Sequence, residues 1–317
     1  MHMLARLLRL LTRAHPVLAL IVGFIAAGCG PDVTAVPEPD DRQLVPSLSP
    51  ASEPSVIQVT TGVYFACALK SNGAIVCWGD GTASPPAGTF TDVGAGYFHS
   101  CAVRTDGTVA CWGFGELGET TPPPGTFTKV SAGAAFTCGI RSDATIACWG
   151  YNHGGRTSPP EGSFVDLSAF SAHGCAIRTD GTLACWGLDN SGETSPPAGT
   201  FARVSTGETH TCAIATDGRL LCWGYNGDGR SSPPEGTFAE VGAGMSHTCA
   251  VRTDGTVACF GLDAYNETRE PGGKFTQLNS QQYYSCGIRT LGWVKCWGFD
   301  DHGQASPPPG VGPAGGP

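Results

Sequence analysis

The sequence predicts an all-β fold, a seven-bladed β-propeller with three or four antiparallel strands and one disulfide in each blade. Three observations predict it. Residues 56–310 contain seven copies of one unit, which recur every 37 residues after a first step of 34. Each copy contains two cysteines ten positions apart, and short apolar runs in it alternate with glycine-rich turns. A fixed period of this length is typical of solenoids and propellers.

Fourteen of the fifteen cysteines fall into seven pairs, and the sequence predicts a disulfide within each pair. The pairs are Cys67 with Cys77, Cys101 with Cys111, Cys138 with Cys148, Cys175 with Cys185, Cys212 with Cys222, Cys249 with Cys259, and Cys286 with Cys296. Zinc sites need four ligands in one place and favour cysteines two to four positions apart, so this spacing does not fit them. Disulfides that persist indicate an oxidising compartment.

The ten-residue spacing matches a β-hairpin with a three-residue loop. In the second copy, Asp106 would lie in a type I turn and Gly107 would adopt the left-handed conformation. Cys101 then lies opposite Cys111 on a non-hydrogen-bonded pair, where the Cα atoms are about 4.5 Å apart, within disulfide reach. Six copies have glycine at the third loop position; the alanine of the third copy should cost about 1 kcal/mol there.

The sequence of each copy predicts three strands. The first is a short segment such as residues 127–130, and the other two form the hairpin. The loop after each Trp-Gly pair ends in Ser-Pro-Pro or a variant, whose prolines exclude a central strand. A short edge strand in this loop is left open. Neither end of the array has the polar surface of a solenoid cap, so we expect the ring to close and its first and seventh copies to touch.

Residues 1–29 are predicted to be a lipoprotein-type signal peptide. Three arginines precede an apolar run at residues 17–27, which is too short to span a bilayer comfortably. The run ends in Ala-Ala-Gly before Cys29 and resembles a bacterial lipobox. Lipidation would also account for Cys29 as the one cysteine without a partner. An ordinary signal peptide, or an uncleaved anchor that ends near a cysteine, is the alternative.

Two segments flank the repeats. Residues 30–55 contain six prolines and several acids and are predicted to be a Pro-rich acidic tether, and residues 311–317 are predicted to be a disordered tail. The formal net charge is −9, and the first 29 residues contribute three arginines and no acid. This acidic balance argues against nucleic acid or anionic lipid as the ligand. We expect a monomer that meets the membrane only through its N-terminal lipid.

The repeats resemble those of a known superfamily. The string AGMSHTCAVRTDGTV at residues 243–257, followed in other copies by Ala-Cys-Trp-Gly, resembles the regulator-of-chromosome-condensation repeat. The period and the prolines resemble bacterial β-lactamase inhibitor protein II, and the paired cysteines resemble the repeats of plant crinkly-type receptor kinases. The resemblance covers all seven copies and implies a seven-bladed propeller that presents loops to a partner. It does not carry over the nuclear founder's exchange-factor activity, since fold alone does not specify function.

Catalytic and metal-binding signatures are missing from the sequence, which contains no H-E-x-x-H, G-x-S-x-G, P-loop or EF-hand motif. We predict no enzyme activity, no metal and no cofactor. One position two residues before the first cysteine is aromatic in three copies, which favours a structural ring there over a metal site. It is histidine in the other four, His99, His173, His210 and His247. The Asp- and Gly-rich loops at residues 188–192 and 225–229 are interpreted as turns, with calcium binding as the alternative.

Positions that differ between copies are the candidates for binding. The strongest are Tyr97, Phe98, Met245 and Tyr283, which lie in the loop before the first cysteine of a pair. Aromatic and methionine side chains on rigid loops are typical of interface hot spots. The sequence leaves open whether these four bind a partner or pack against a neighbouring blade.

We therefore predict a non-enzymatic exported lipoprotein, at the outer membrane, in the periplasm or on the cell surface, whose propeller binds a protein. Two other hypotheses remain. A carbohydrate-binding propeller would repeat aromatic pockets from blade to blade. A lyase or glycosidase would need acids of single blades to converge at the axis, and nothing in the sequence brings the loop acids Glu116, Asp189 and Asp263 together.

Overall fold

A computed structural model describes residues 53–81 and 84–313. Their strands form seven sheets of three, and each sheet is one sequence repeat, which we call a blade. Blades 1 to 4 comprise β1 (Val56–Thr61), β2 (Phe65–Lys70), β3 (Ile75–Gly79), β4 (Phe90–Ala95), β5 (His99–Arg104), β6 (Val109–Gly113), β7 (Phe127–Ala132), β8 (Phe136–Arg141), β9 (Ile146–Gly150), β10 (Phe164–Phe170), β11 (His173–Arg178) and β12 (Leu183–Gly187). Blades 5 to 7 comprise β13 (Phe201–Thr206), β14 (His210–Ala215), β15 (Leu220–Gly224), β16 (Phe238–Ala243), β17 (His247–Arg252), β18 (Val257–Gly261), β19 (Phe275–Gln281), β20 (Tyr284–Arg289) and β21 (Val294–Gly298).

The three strands of a blade are hydrogen-bonded in chain order and antiparallel, as β1-β2-β3 illustrates. The first strand of every blade contacts the first strands of both neighbours, so these seven strands surround the axis. One turn of 3-10 helix (His153–Gly155) follows β9. Among the described residues, no helix is long and apolar enough to cross a membrane. The predicted seven-bladed propeller is confirmed, with three strands rather than four in each described sheet.

The hairpin between the second and third strands has the predicted three-residue loop. In blade 2, Gly107 N donates to Arg104 O at 2.8 Å, and Gly107 has a φ of +84°. The carboxylate of Asp106 accepts hydrogen bonds from both the backbone N and the hydroxyl of Thr108. This loop sets the register that places Cys101 directly opposite Cys111.

All seven predicted disulfides are present, one within each blade. They join Cys67 to Cys77, Cys101 to Cys111, Cys138 to Cys148, Cys175 to Cys185, Cys212 to Cys222, Cys249 to Cys259, and Cys286 to Cys296. The Cα atoms of each pair are 4.0 or 4.1 Å apart, slightly closer than the expected distance of about 4.5 Å and far from the wider, hydrogen-bonded type of strand pair. Because each disulfide closes a short hairpin, each should stabilise the fold by about 2–3 kcal/mol through the unfolded chain.

The two cysteines of a pair differ in burial. The first cysteine lies on the central strand of its blade and is fully buried in every copy. The second lies on the outer strand and is only half-buried, which holds for Cys77, Cys111, Cys148, Cys185, Cys222, Cys259 and Cys296. Each disulfide therefore ties the outer edge of a blade to its buried centre.

The hydrophobic core consists of layers between blades rather than one central cluster. Between blades 1 and 2, Phe65 and Leu69 pack against Phe90, Val93 and Trp112. The other six junctions repeat this arrangement, including the junction of blade 7 with blade 1. Every blade is therefore covered on both faces, which explains why both faces of each hairpin are apolar.

The ring closes between blades 7 and 1, as predicted. The Tyr284 hydroxyl donates to Gly62 O at 2.9 Å, and Trp78 Nε1 donates to Gln304 O at 2.9 Å. Val59 N donates to the side chain of Gln277 on β19 at 2.8 Å. These bonds join residues more than 200 positions apart along the chain.

The C-terminal boundary of the propeller differs from the prediction. Val311, which was assigned to a disordered tail, is 1% exposed and packs against Val56 and Val294 at the closing junction. Val294 N also donates to Val311 O at 2.8 Å. The propeller therefore includes Val311, because its side chain covers an apolar surface that the seventh repeat leaves open. The predicted signal peptide and most of the tether, residues 1–52, lie outside the described residues, as do residues 314–317.

Ala144 provides a test of the hairpin loop. It has a φ of +69° at the position where the other six blades have glycine. Since a Cβ disfavours this conformation, Ala144→Gly should raise the free energy of unfolding by about 0.5–1 kcal/mol. Denaturant unfolding under oxidising conditions measures the change. The reverse substitution Gly218→Ala, at the matching position of blade 5, should lower stability; a loss on Ala144→Gly would contradict this account.

Candidate functional site: the loop face and the axial cavity

The propeller has two unlike faces. The loops between first and second strands and the loops that follow the third strands lie on one face, which we call the loop face. Their backbones bond to each other, for example Phe114 N to Phe98 O at 2.9 Å. The hairpin turns lie on the opposite face, the turn face, because strand direction reverses in an antiparallel sheet. All four predicted binding residues are on the loop face.

An axial cavity of about 530 Å³ is lined by the first strands of all seven blades. The third residue of each first strand contributes a polar side chain to this region. These residues are Gln58, Asp92, Lys129, Asp166, Arg203, Glu240 and Gln277. From blade 2 to blade 6 their charges alternate in sign, a pattern that the sequence analysis did not single out.

The charged side chains of this ring pair with each other. Lys129 Nζ pairs with Asp166, and Arg203 Nε lies 3.1 Å from Glu240 Oε1. Asp92 accepts hydrogen bonds from the Gln58 side chain at 2.9 Å and from a backbone N–H. Burial raises the pKa of Asp92, with Lys129 opposing that shift. Burial would lower the pKa of Lys129, but the two aspartates outweigh it and raise the pKa. The ring thus neutralises most of its own charge.

The recurrent histidine position joins neighbouring blades. His99 Nε2 lies 2.8 Å from Thr137 Oγ1 of blade 3, and that hydroxyl donates to Glu119 O at 3.1 Å. Because the hydroxyl proton goes to the carbonyl, Nε2 of the histidine must be the donor. Trp149 Nε1 donates to the same carbonyl at 2.8 Å. Each such unit connects a histidine and a loop of one blade to a threonine and a tryptophan of the next.

The other histidines make the same contact. His173, His210 and His247 reach a hydroxyl of the following blade at 2.8–2.9 Å. Burial lowers the pKa of His99, His173 and His247 to about 4, and the pKa of His210 to about 3. Each ring is therefore neutral at pH 7 and engaged in joining blades. The described residues hold no group of three or more His, Cys, Asp and Glu side chains that could bind a metal.

Seven rings form a continuous chain on the loop face, which we call the aromatic ridge. In order of contact they are Tyr97, Phe98, Tyr64, His302, Phe299, Tyr265 and Tyr283. Successive ring centroids are 4.3–6.4 Å apart. The ridge crosses the loops of blades 6, 7, 1 and 2, above the closing junction. Phe98 and Tyr265 are each 46% exposed, so the ridge presents apolar ring surface to solvent.

Tyr97 extends from one end of the ridge across the mouth of the cavity. Its ring lies 5.4 Å from that of Phe170, which belongs to blade 4 and lines the cavity, so the contact skips a blade. Burial raises the pKa of Tyr97 to about 12, opposed by a hydrogen bond with Ser171 and by Arg156. Tyr97 is therefore a neutral, fixed element of this face.

Three of the four predicted binding residues are brought together by the structure. Tyr97, Phe98 and Tyr283 belong to the aromatic ridge, whereas Met245 does not. Met245 instead accepts a hydrogen bond at its carbonyl from Arg230. His302 of the ridge was missed by the sequence analysis. It is fixed by Asp80 of blade 1 at 2.9 Å, a contact between the two ends of the ring that no local pattern reveals.

Two of the three loop acids considered for catalysis, Asp189 and Asp263, are held within their own loops. Asp189 accepts hydrogen bonds from Thr194 N and the Ser195 hydroxyl within its own loop. Asp263 accepts one from Thr268 N in the corresponding loop of blade 6. These bonds support the interpretation of the Asp-rich loops as turns.

Comparisons with known proteins address the repeat directly. Five segments match the family described as "Regulator of chromosome condensation (RCC1) repeat". They are residues 56–83, 90–119, 127–156, 201–230 and 238–267. Five of the seven blades match this repeat. The resemblance predicted from the sequence is thereby confirmed, and the chain is an RCC1-like propeller, a fold typical of protein-binding modules.

Solved structures extend the similarity to the whole ring. The CRINKLY ectodomain of the Arabidopsis thaliana receptor kinase ACR4 is 27% identical, with a TM-score of 0.66 over 78% of this chain and 96% of that one. The ectodomain of the Physcomitrella patens receptor kinase CR4 is 23% identical, with a TM-score of 0.67 over 77% and 74%. Prp20p of Saccharomyces cerevisiae is 14% identical, with a TM-score of 0.64 over 82% and 85%. No curated protein matches the chain by sequence.

The two blades of this RCC1-like propeller that lie outside the family match share one departure. The five matched blades have glycine after the first strand, where a Cβ at Gly133, for example, would lie 2.1 Å from the ring of Phe136. Blades 4 and 7 have Phe170 and Gln281 at this place, and their first strands are one residue longer. Phe170 supports Tyr97, and Gln281 Nε2 donates to Thr61 O at 3.1 Å.

The buried histidines predict how stability depends on pH. Their pKa values in the folded protein lie near 3 to 4, below about 6.5 in the unfolded chain, so the unfolded state binds more protons between these values. The stability that the neutral rings provide is complete above pH 6.5 and is lost as the pH falls towards 4. Denaturant unfolding at a series of pH values measures this slope.

The variant His210→Phe is the matched test, because phenylalanine occupies this position in blades 1 and 3. It leaves the Thr248 hydroxyl bonded to Arg230 O at 3.0 Å. Near pH 5, the number of protons that the chain takes up on unfolding should fall by about one. An unchanged slope would show that His210 is not one of the groups that titrate on unfolding.

Proposed function

We propose that this chain is an exported, lipid-anchored and non-enzymatic protein-binding module, and that the aromatic ridge is its binding surface. The single observation that carries the proposal is the ridge itself. It is a row of contacting rings on a disulfide-stapled frame, and apolar ring surface on it is exposed. Rigid aromatic side chains bury large areas with little loss of conformational entropy, which is why they dominate interface hot spots.

The distribution of the rings supports a protein partner rather than a carbohydrate. The ridge occupies the loops of blades 6, 7, 1 and 2, and the equivalent loops of blade 3 have Ala134 and Ala135 in place of Tyr97 and Phe98. A carbohydrate-binding propeller would repeat its aromatic pockets around the ring. The related propeller Prp20p has binding properties to Gsp1p and histones, so this fold does support protein recognition.

The non-enzymatic part of the proposal is supported by how the polar groups are used. The charged ring at the axis pairs with itself, and the buried histidines hold neighbouring blades together. The loop acids Asp189 and Asp263 accept hydrogen bonds from the backbone of their own loops. A catalytic acid or base has to reach a substrate, whereas these groups already have fixed partners.

The location in the cell is supported by the disulfides and by the N-terminus. Seven disulfides persist only in an oxidising compartment, and the CRINKLY relative is an ectodomain. Lipidation at Cys29, followed by the tether at residues 30–55, would hold the propeller at the cell envelope, at the outer membrane, in the periplasm or at the cell surface. The propeller would meet its partner as a monomer.

Substitutions in the ridge test the binding surface. Phe98→Ser and Tyr265→Ser remove exposed rings and should each weaken binding of the partner by about tenfold or more, the loss expected at a hot spot. The partner is obtained by crosslinking to the full chain in envelope extract, and its affinity is then measured with purified protein.

Leu291→Ser is the matched control for these variants. Leu291 is 51% exposed, close to the exposure of Phe98, but lies in a hairpin turn on the turn face. It should leave the affinity unchanged. An equal loss for all three variants, or no loss for the ridge variants, would refute the assignment of this surface.

Cys29→Ala tests the anchor. The chain with Cys29 should partition into the detergent phase and incorporate labelled fatty acid, because an acyl chain adds about 0.8 kcal/mol of membrane affinity for each buried CH₂ group. The variant should lose the label. Fatty-acid labelling that persists in Cys29→Ala would exclude this cysteine as the modified residue, and absence of label from both chains would exclude lipidation.

A further inference from the structure

Arg156 occupies a position of the repeat at which the side chain usually accepts hydrogen bonds from the backbone of its own loop. The position is held by Glu119, Glu193, Glu267, Gln304 and two arginines, Arg156 and Arg230. The acidic and amide side chains accept hydrogen bonds from backbone N–H groups of the loop, for example from Ser191 N at 2.6 Å. An arginine has no acceptor and cannot do this, so each arginine needs other partners.

Arg230 has a full set of partners. Its Nε lies 2.7 Å from Asp228 Oδ1, and a terminal nitrogen pairs with the other carboxylate oxygen. A terminal nitrogen also donates to Thr209 Oγ1 at 3.3 Å and to Met245 O. The buried charge of Arg230 is thus neutralised and fastened to the next blade.

Arg156 lacks the corresponding partners. Gly154 stands where blade 5 has Asp228, and Ala135 stands where it has Thr209. The Arg156 side chain makes one hydrogen bond to the described residues, from Nε to His153 O at 2.8 Å. No carboxylate within residues 53–81 and 84–313 forms an ion pair with it. The residue is nevertheless only 8% exposed.

The guanidinium of Arg156 is held in place but not neutralised. It lies over the Tyr151 ring at 5.4 Å and over the Phe136 ring at 5.9 Å. Burial lowers the pKa of Arg156, although an arginine stays protonated in proteins. Its terminal nitrogens make no hydrogen bond to the described residues, and neither is among the fully buried polar atoms that lack a partner. Both therefore keep access to solvent.

We infer that Arg156 is the cation of an oxyanion-binding site on the loop face, which takes one carboxylate or phosphate group. The planar fork of a guanidinium matches two oxygens of either group, and burial strengthens such a pair once it forms. An uncompensated buried charge is costly, so an anion that supplies the missing Asp228 equivalent stabilises the fold. The inference goes beyond the proposed function, because free oxyanions suffice to test it without any protein partner.

The first test uses the exported chain labelled with ¹⁵N and follows the Nε–Hε signals of its arginines. Acetate and inorganic phosphate are titrated separately at constant ionic strength. The Arg156 signal should shift and saturate, whereas the Arg230 signal should stay in place because Asp228 already occupies it. Saturation by acetate alone assigns the site to carboxylates, and saturation by phosphate assigns it to phosphate groups. Equal, non-saturating shifts at both arginines, or no shift at Arg156, would overturn the inference.

The second test compares Arg156→Gln with Arg230→Gln, since Gln304 shows that glutamine fits this repeat position. Without added anion, Arg156→Gln should leave the melting temperature unchanged or raise it, and Arg230→Gln should lower it. Saturating oxyanion should raise the melting temperature of the unsubstituted chain but not that of Arg156→Gln. If Arg156→Gln is as destabilising as Arg230→Gln and the oxyanion response persists, Arg156 has a structural role and the site lies elsewhere.

Discussion

Four of the seven blade junctions are held by one polar contact, in which a buried histidine reaches a hydroxyl of the next blade. At three of them the hydroxyl belongs to a threonine and donates to a loop carbonyl. In the His99–Thr137–Glu119 unit, the carbonyl also accepts Trp149 Nε1, so two side chains of blade 3 are fixed to a backbone atom of blade 2. Apolar burial between blades favours contact but is not directional. The hydrogen bonds provide the direction, because each donor has to meet its acceptor at a set distance and angle. The neutral histidine therefore has a structural role at these four junctions.

A frame fixed in this way leaves the loop face free to vary. The disulfide and a left-handed residue, glycine in six blades and Ala144 in the third, determine each hairpin, and the apolar layers fix the spacing of blades. Exposed loop residues held by such a scaffold can vary and carry function. The aromatic ridge uses this freedom across blades 6, 7, 1 and 2. Blade 4 contributes Phe170, which replaces a glycine that five blades keep, and supports Tyr97 across the mouth of the cavity. These departures from the repeat lie on the loop face, where the propeller can contact another molecule.

Charged residues are paired differently at the axis and on the loop face. At the axis, Lys129 and Arg203 each face an acid of a neighbouring blade, so the buried charges compensate one another. On the loop face, Arg230 is compensated within its own loop by Asp228, but Arg156 is not. The two arginines occupy equivalent repeat positions, so the contrast arises from the loop sequences and not from the fold. Arg230 therefore helps to hold neighbouring blades together, whereas Arg156 is available to a ligand.

The sequence by itself determined the repeat, the pairing of fourteen cysteines, the hairpin register and closure into seven blades, because each follows from spacing within or between copies. It also identified Tyr97, Phe98 and Tyr283 as variable aromatic positions. Only the tertiary structure decided that these three rings join Tyr64, His302, Phe299 and Tyr265 in one ridge, since the contacts link blades that are far apart in the chain. It likewise decided that Val311 belongs to the core and that Arg156 lacks a counter-charge. The period of the sequence shows which residues the copies share. Closure of the ring decides which of the residues that differ between copies come into contact.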